Sequence, residues 1–435
     1  MHRALTVATS CTLAYLLCAA PAHANGRFPA TNQLVVAPND PSTLVLRTTF
    51  GVLISRDRGN HWDWICEKAV GYGGQTEDPA LGITGNRTII AGTFEGLAAS
   101  PDTGCGWSFA GGDLAQKIVV DVVVRPDAPS IAFALSNKFK VVSDAGEPTY
   151  DSHVYTTSND GVAWSTLGAA IDPTAVLETI EIAASDPHRI YVSGFRGAGA
   201  NVKGVLFVST DDGATWTTRD VPLDPANEHA PFLAAVDPKN ADRVYIRTSG
   251  SASSRLLVTN DAGTSFMPVF TGAQLAGFAL SADGSKVYVG GPKDGLSVAS
   301  TSDFRFTKTS SVAVQCLRTS GTTLYVCSNE VSGFILGASE DDGATIAPTL
   351  HLATIRGPLT CPASTPGAAC AADWPALRDS LGLQPTDDAG VDGGTAPGST
   401  PKSCGCRAIP AGSGWFATIS AAIFLLALGV RKRRR

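Results

Sequence analysis

One short pattern recurs along this 435-residue chain: Ser or Thr, Asp two residues on, Gly two further, then an aromatic three later. It stands at Ser55-Asp57-Gly59-Trp62, Ser100-Asp102-Gly104-Trp107 and Ser209-Asp211-Gly213-Trp216. Thr157-Asn159-Gly161-Trp164 carries Asn, Thr259-Asp261-Gly263-Phe266 carries Phe, and Ser339-Asp341-Gly343-Ile346 loses the aromatic. At Thr301-Ser302-Asp303 the Gly is gone and Phe306 takes the aromatic place. Each position has a physical task. Asp or Asn accepts backbone N–H bonds across a tight turn, Gly supplies a positive φ, and the aromatic opens the next strand and packs between sheets. The copies start at 55, 100, 157, 209, 259, 301 and 339.

Residues between copies read as strands. An apolar run, a turn of the Asp-Pro kind and a second β-branched run follow one another at 118–135, 180–193 and 233–247. A period near 40–50 residues with β patterning predicts a propeller. The turn resembles the Asp-box, or BNR, hairpin of sialidases, sortilin-type receptors and related propellers. We therefore expect an all-β, seven-bladed β-propeller over residues 25–356, six or eight blades being the alternatives, with Asp57, Asp102, Asn159, Asp211, Asp261, Asp303 and Asp341 as structural turn residues. Composition agrees: 45 Gly and 26 Pro are too few for a collagen-like or low-complexity chain, and 44% apolar residues is too many for general disorder.

Both ends read as targeting signals. His2 and Arg3, an apolar stretch to Ala20 and Ala22-His23-Ala24 make residues 1–24 a secretory signal peptide; Leu17 before Cys18 is too bulky for a lipobox. At the other end a Pro/Gly-rich spacer (384–403) precedes Cys404-Gly405-Cys406, a charge-free stretch from Trp415 to Val430 and five terminal cations. This layout over 404–435 resembles the C-terminal sorting signal of myxobacterial surface proteins. That resemblance implies a transmembrane sorting helix, a sorting protease cutting near Cys404 or Cys406, and anchoring at the outer cell surface. Between propeller and spacer, 357–383 is expected to be a disulfide-closed appendix whose short helix opens at Asp373-Trp374-Pro375. Without Arg3 and the five terminal cations, the formal charge falls from −6 to −12. An acidic body without a basic stripe argues against nucleic acid as a partner.

Six cysteines remain in the body, an even number in an exported chain, so disulfides are expected. Fifteen pairings are open; sequence order favours Cys66–Cys105, Cys316–Cys327 and Cys361–Cys370. No CxxC pair occurs, and Asp211-Asp212 and Asp341-Asp342 lack the alternating ligands of Ca²⁺ loops, so neither metal nor cofactor is expected.

Blade topology assigns two faces. The recurrent turns join third to fourth strands and share a face with the first-to-second turns. The second face carries the second-to-third loops and the connections between blades, and ligands of propellers usually bind there. Its richest segments hold Tyr72, Gln75, Glu77 and Asp78; Phe139 and Tyr150; Phe195 and Arg196; and Glu228 and His229, with Glu95 as a further acid. Aromatics beside amides and carboxylates suit sugar or peptide recognition. The expected function is therefore a surface-anchored binding or scaffold module, monomeric, for a glycan, a peptide or an envelope protein. The alternative is a sialidase-like or other glycoside hydrolase. For that reading Arg27, Arg47, Arg196 and Arg247 are the candidate arginines and Glu77, Asp78, Glu95 and Glu228 the candidate acids; no nucleophile elbow, HExxH or phosphate loop appears.

Overall fold

The computed structural model describes residues 27–73, 77–142 and 148–383. The expected signal peptide, Gln75, the expected spacer, both tail cysteines and the expected sorting segment lie outside the described residues. Among the described residues no helix is long and apolar enough to cross a membrane.

Seven four-stranded antiparallel sheets follow one another along the chain, at residues 31–65, 80–109, 118–167, 175–221, 228–272, 277–310 and 316–350. Each is a blade whose strands run in sequence order from the first outward, except that blade 3 adds a side hairpin, Phe139–Val142 with Pro148–Tyr150, between its second and third strands. Middle strands are covered on both faces by neighbouring blades. That explains their continuous apolar runs: Leu44, Val45 and Leu46 are fully buried, as are Tyr191 and Val192. Outermost strands are wet on one side, and Thr217–Val221 is mostly polar.

The recurrent turns take the geometry their residues dictate. In blade 4 the Ser209 hydroxyl donates to Asp211 Oδ1 (2.8 Å) and accepts from the Gly213 N–H (2.8 Å). Asp211 accepts the Thr215 N–H (2.9 Å) and hydroxyl (2.6 Å), and Asp212 and Gly213 sit at φ 57° and 83°. The aromatic closes the turn: the Trp62 and Trp107 indoles donate to the Gly59 and Gly104 carbonyls at 2.9 Å. The turn also presses on the preceding blade. A Cβ on Gly104 would stand 2.5 Å from Ile65 Cδ1, and one on Gly343 2.2 Å from Leu296 Cδ2. In blade 6 the register corrects the sequence reading. The third strand ends at Ser300, and Ser300 and Ser302, 2.8 Å apart through their hydroxyls, occupy the Ser and Asp places. Asp303 lies one residue beyond, accepts the Arg305 N–H (3.2 Å) and stands 3.7 Å from that residue's Nε.

Two expected disulfides are corrected. Cys66 pairs with Cys370 and Cys105 with Cys361, not with their sequence neighbours; Cys316–Cys327 pairs as expected, across the first two strands of blade 7. The cause is the path of the chain after blade 7. It returns to blade 1, where Ile355–Pro358 adds a parallel fifth strand outside Trp62–Ile65. Trp374 then packs on Trp64 with ring centroids 5.6 Å apart. The segment expected as a separate appendix thus shares the core of blade 1, and its helix runs Cys370–Ser380, starting before Asp373. On the inner side, blade 1 meets blade 7 through the Thr31 N–H on the Ser328 carbonyl (3.2 Å) and the Thr31 hydroxyl on the Ile335 carbonyl.

The innermost strands present an unpaired edge to the central channel, and neighbouring blades satisfy it. The Gln33 amide spans both backbone groups of Leu81 (3.1 and 3.0 Å). Asn137 does the same for Leu177. Asp121 accepts the Ile180 N–H (2.9 Å), the Thr179 hydroxyl accepts that of Leu233 (2.7 Å), and the Thr319 hydroxyl donates to the Leu280 carbonyl (2.6 Å). Buried backbone groups must be paired, so these polar side chains brace the ring where no strand can.

Candidate functional site

The second face gathers the sequence-predicted residues into separate groups. One lies where blade 3 meets blade 4. The side hairpin pairs Phe139–Val142 with Pro148–Tyr150, segments that carry the β formers Phe139, Val141, Val142, Thr149 and Tyr150. Its Phe139 is exposed, and Tyr150 meets it edge-on with centroids 6.1 Å apart. The hairpin is docked by the Tyr150 N–H on the Pro173 carbonyl (2.8 Å). Between it and blade 4 opens a cleft of about 140 Å³, walled by Pro148, Tyr150, Thr174, Val176, Phe195 and Arg196. The Arg196 Nε donates to Asp172 Oδ2 at 3.0 Å and its Nη2 to the same oxygen. Against the upward push of burial, hydrogen bonds from the Thr174 hydroxyl and N–H and from Arg196 hold the Asp172 carboxyl below its usual range. The cleft thus combines aromatic walls, a phenol and an ion pair of no net charge. Asp172 went unread in the sequence, although an Asp-Pro step just before an innermost strand marks a turn at the channel mouth.

The second group joins blades 1 and 2. Arg27 forks onto Asp78, with Nη1–Oδ1 at 2.6 Å, and also donates to the Glu77 carbonyl (3.2 Å). Asn32 donates to the same Asp78 carboxylate (2.7 Å). Tyr72 and Glu77 are each only 7% exposed, and the Tyr72 hydroxyl and Glu77 Oε1 are buried with no hydrogen-bond partner among the described residues. Burial pushes both groups up. Glu77 Oε2 accepts the Phe94 N–H at 2.9 Å, while Glu95 beside it is exposed.

Glu228 and His229 belong to neither group. Glu228 is 1% exposed and receives Arg255 Nε (2.7 Å) and Nη2 (2.5 Å), the Thr248 hydroxyl (2.6 Å) and the Asp224 N–H (2.7 Å). Burial pushes its carboxyl up, and the bonds from Arg255, Thr248 and Asp224 overcome that and leave it low. A carboxylate so closed is a corner post of blade 5, unsuited to proton transfer. His229 is exposed and bonded to Ser251 (2.7 Å).

A third group, of which the sequence offered only Arg47 and Arg247, lines the channel. Asp121, Glu178, Glu181 and Arg318 project from innermost strands, with Arg47 and Arg247 on second strands. Glu181 of blade 4 feels Arg318 of blade 7 across the ring. Burial pushes Asp121 and Glu178 to about 7 and Glu181 to about 8. Charges breaking otherwise apolar runs, as in Val-Val-Asp-Val-Val-Val, were the available signal. Of the candidate arginines, Arg47 is spent on Asn32 and Pro79, and Arg247 stacks on Phe232 at 5.1 Å and donates to the Leu275 carbonyl; Arg196 lies in the cleft. Among the described residues, no three His, Cys, Asp or Glu groups stand together as a metal site would require.

Exposed large apolar residues also favour the second face: Phe28 beside the first second-to-third turn, Phe94 and Val331 in two others, and Phe139 on the hairpin.

The model of the Sortilin-Vps10 family ("Sortilin, neurotensin receptor 3") matches residues 152–334, from the third strand of blade 3 into blade 7. No curated protein matches the chain. Among solved structures, an ancestral GH74 enzyme is similar at TM-score 0.49 and 15% identity, over 74% of this chain and 44% of that one. The GH74 xyloglucanase of Xanthomonas campestris is similar at 0.36 and 18%, over 76% and 55%. YCF48 bound to D1 peptide is similar at 0.44 and 11%, over 68% and 90%. This chain therefore spans less than half the length of the first of them. The protein is thus a seven-bladed β-propeller, similar over residues 152–334 to the Sortilin-Vps10 family.

Proposed function

We propose that this chain is an exported propeller, held at the outer cell surface by its C-terminal tail, that binds a glycan, a peptide or an envelope protein through its second face. The observation that carries the binding role is the cleft between the blade 3 hairpin and blade 4, with aromatic walls and a neutralised Arg196–Asp172 pair. Ligand sites are concave and mostly apolar with a few placed polar groups, and this cleft has that composition. The hydrolase alternative needs two accessible carboxyl groups. Glu228 is closed by four donors and Glu77 is buried, which weighs against it. The export and anchoring rest on the two terminal segments alone. The test runs the exported protein against glycan and peptide arrays, beside hydrolysis assays on sialosides and plant polysaccharides. Saturable binding without turnover is expected; turnover abolished by Glu77→Gln would replace the binding role with the hydrolase. External protease on intact cells should remove the propeller if it is surface-held.

A further inference from the structure

We propose that the cleft between the blade 3 hairpin and blade 4 takes an uncharged oligosaccharide, one sugar residue inside it against Tyr150 and Phe195 and the next over Phe139. This rests on the reading of the second face as a binding surface, and narrows its ligand to one class.

Three observations on the cleft carry it. The first is charge. Arg196 is the charged wall residue, and it is already matched by Asp172 through Nε and Nη2. The chain around it is acidic, −12 outside its two cationic ends. An anionic ligand would meet a neutralised guanidinium in a repulsive field, and a cationic one would have no unpaired carboxylate among the wall residues.

The second is the state of the backbone. A peptide bound in extended form draws its affinity from an open strand edge. Among the described wall residues little of such an edge is open: Pro148 has no N–H to give. Arg196 is paired with Ala175 on one side and Lys203 on the other. On the hairpin side the Tyr150 N–H is spent on the Pro173 carbonyl. What the walls mainly offer a ligand is side chains and ring faces.

The third is the wall chemistry. Phe139 is 54% exposed, and Tyr150 meets it at an interplanar angle of 78°, so two ring faces are offered in different directions. Aromatic faces are electron-rich, and the C–H edges of a pyranose ring are their complement. Among the described residues the Tyr150 hydroxyl meets no hydrogen-bond partner, and it can donate to or accept from a sugar hydroxyl. At about 140 Å³ the cleft holds one ring, which leaves the neighbouring residue of a chain outside it, where Phe139 stands.

The experiment is calorimetric titration of the exported protein with uncharged gluco-, galacto- and xylo-oligosaccharides of two to six residues and with the matching single sugars, at low and high salt. At least one series should bind with an affinity that salt leaves unchanged. Phe139→Ala, at an exposed position, should weaken oligosaccharides by about tenfold, the scale of one lost aromatic contact, while sparing the single sugar. Tyr150→Phe keeps the ring and should weaken both by roughly five- to tenfold, one hydrogen bond. Peptide binding that is lost in Phe139→Ala, with no saccharide bound, overturns the saccharide and leaves the binding face standing. Binding confined to sialylated or sulfated glycans overturns it likewise. No binding of either class at these residues overturns both readings.

Discussion

A single carboxyl group shows how the ring sets local chemistry. Glu181 sits on the innermost strand of blade 4, and burial lifts it to about 8, with Asp121 adding to the push and Arg318 opposing it. The folded chain therefore holds this proton more tightly than the unfolded chain, whose Glu titrates near 4.3. Between about pH 4 and 8 the folded state binds more protons, so stability is full at the acid end and falls as pH rises through that window. Glu181→Gln should raise the melting temperature by a few degrees at pH 8 and leave it unchanged at pH 4.5, as read by thermal denaturation at both values. An equal gain at both would show that the carboxyl is unperturbed. By contrast Glu228, held low by Arg255 and Thr248, adds stability that is lost only as pH falls into the acid range.

The element that repeats is the Ser-Asp-Gly turn, and its Gly is constrained twice. Gly343 needs φ +83°, and a Cβ there would stand 2.2 Å from Leu296 of the preceding blade. Gly321 also has positive φ, at +59°, but open space around it. Gly343→Ala should cost about 2–4 kcal/mol and Gly321→Ala about 1 kcal/mol in urea unfolding, the difference being the clash between blades. Equal costs would mean that the turn serves conformation alone. Blade 6, where Ser300 and Ser302 stand in for Ser and Asp, shows that the turn survives without its Gly when a helical bond, Phe304 N–H to the Ser300 carbonyl (2.9 Å), takes over.

At the scale of the molecule, a ring must be closed, and this one is closed twice. Inside, Thr31 bonds blade 7; outside, the returning strand and two disulfides clamp blades 1 and 2 to residues 355–370. The linked positions are 304 and 256 residues apart, so each cross-link removes much freedom from the unfolded chain. Cys370→Ser should cost about 2–5 kcal/mol, and non-reducing peptide mapping should recover Cys66 with Cys370 and Cys105 with Cys361. Recovery of Cys66 with Cys105 would refute the returning path.

What could be read before folding was whatever is local and repeated. Six turns with their Asp or Asn and Gly, a seventh read one residue out of register, and the β patterning between them are each set by neighbours within a few positions, so seven blades, with six or eight as alternatives, and the two faces could be expected from the chain alone. The site was legible in part. Phe139, Tyr150, Phe195 and Arg196 stood out as long-loop residues, but that the last three wall one cleft with Phe139 beside it, and that Asp172 cancels the arginine, depends on blades 3 and 4 lying side by side. Glu228 looked like a reactive acid until Arg255, 27 positions away, was folded against it. The cysteines were misassigned for the same reason. Pairing follows distance in space, and the chain's return to blade 1 brings together positions that 256 to 304 residues keep apart in sequence. Local hydrogen-bonding rules determine a turn; only closure of the ring determines which turns and side chains become neighbours.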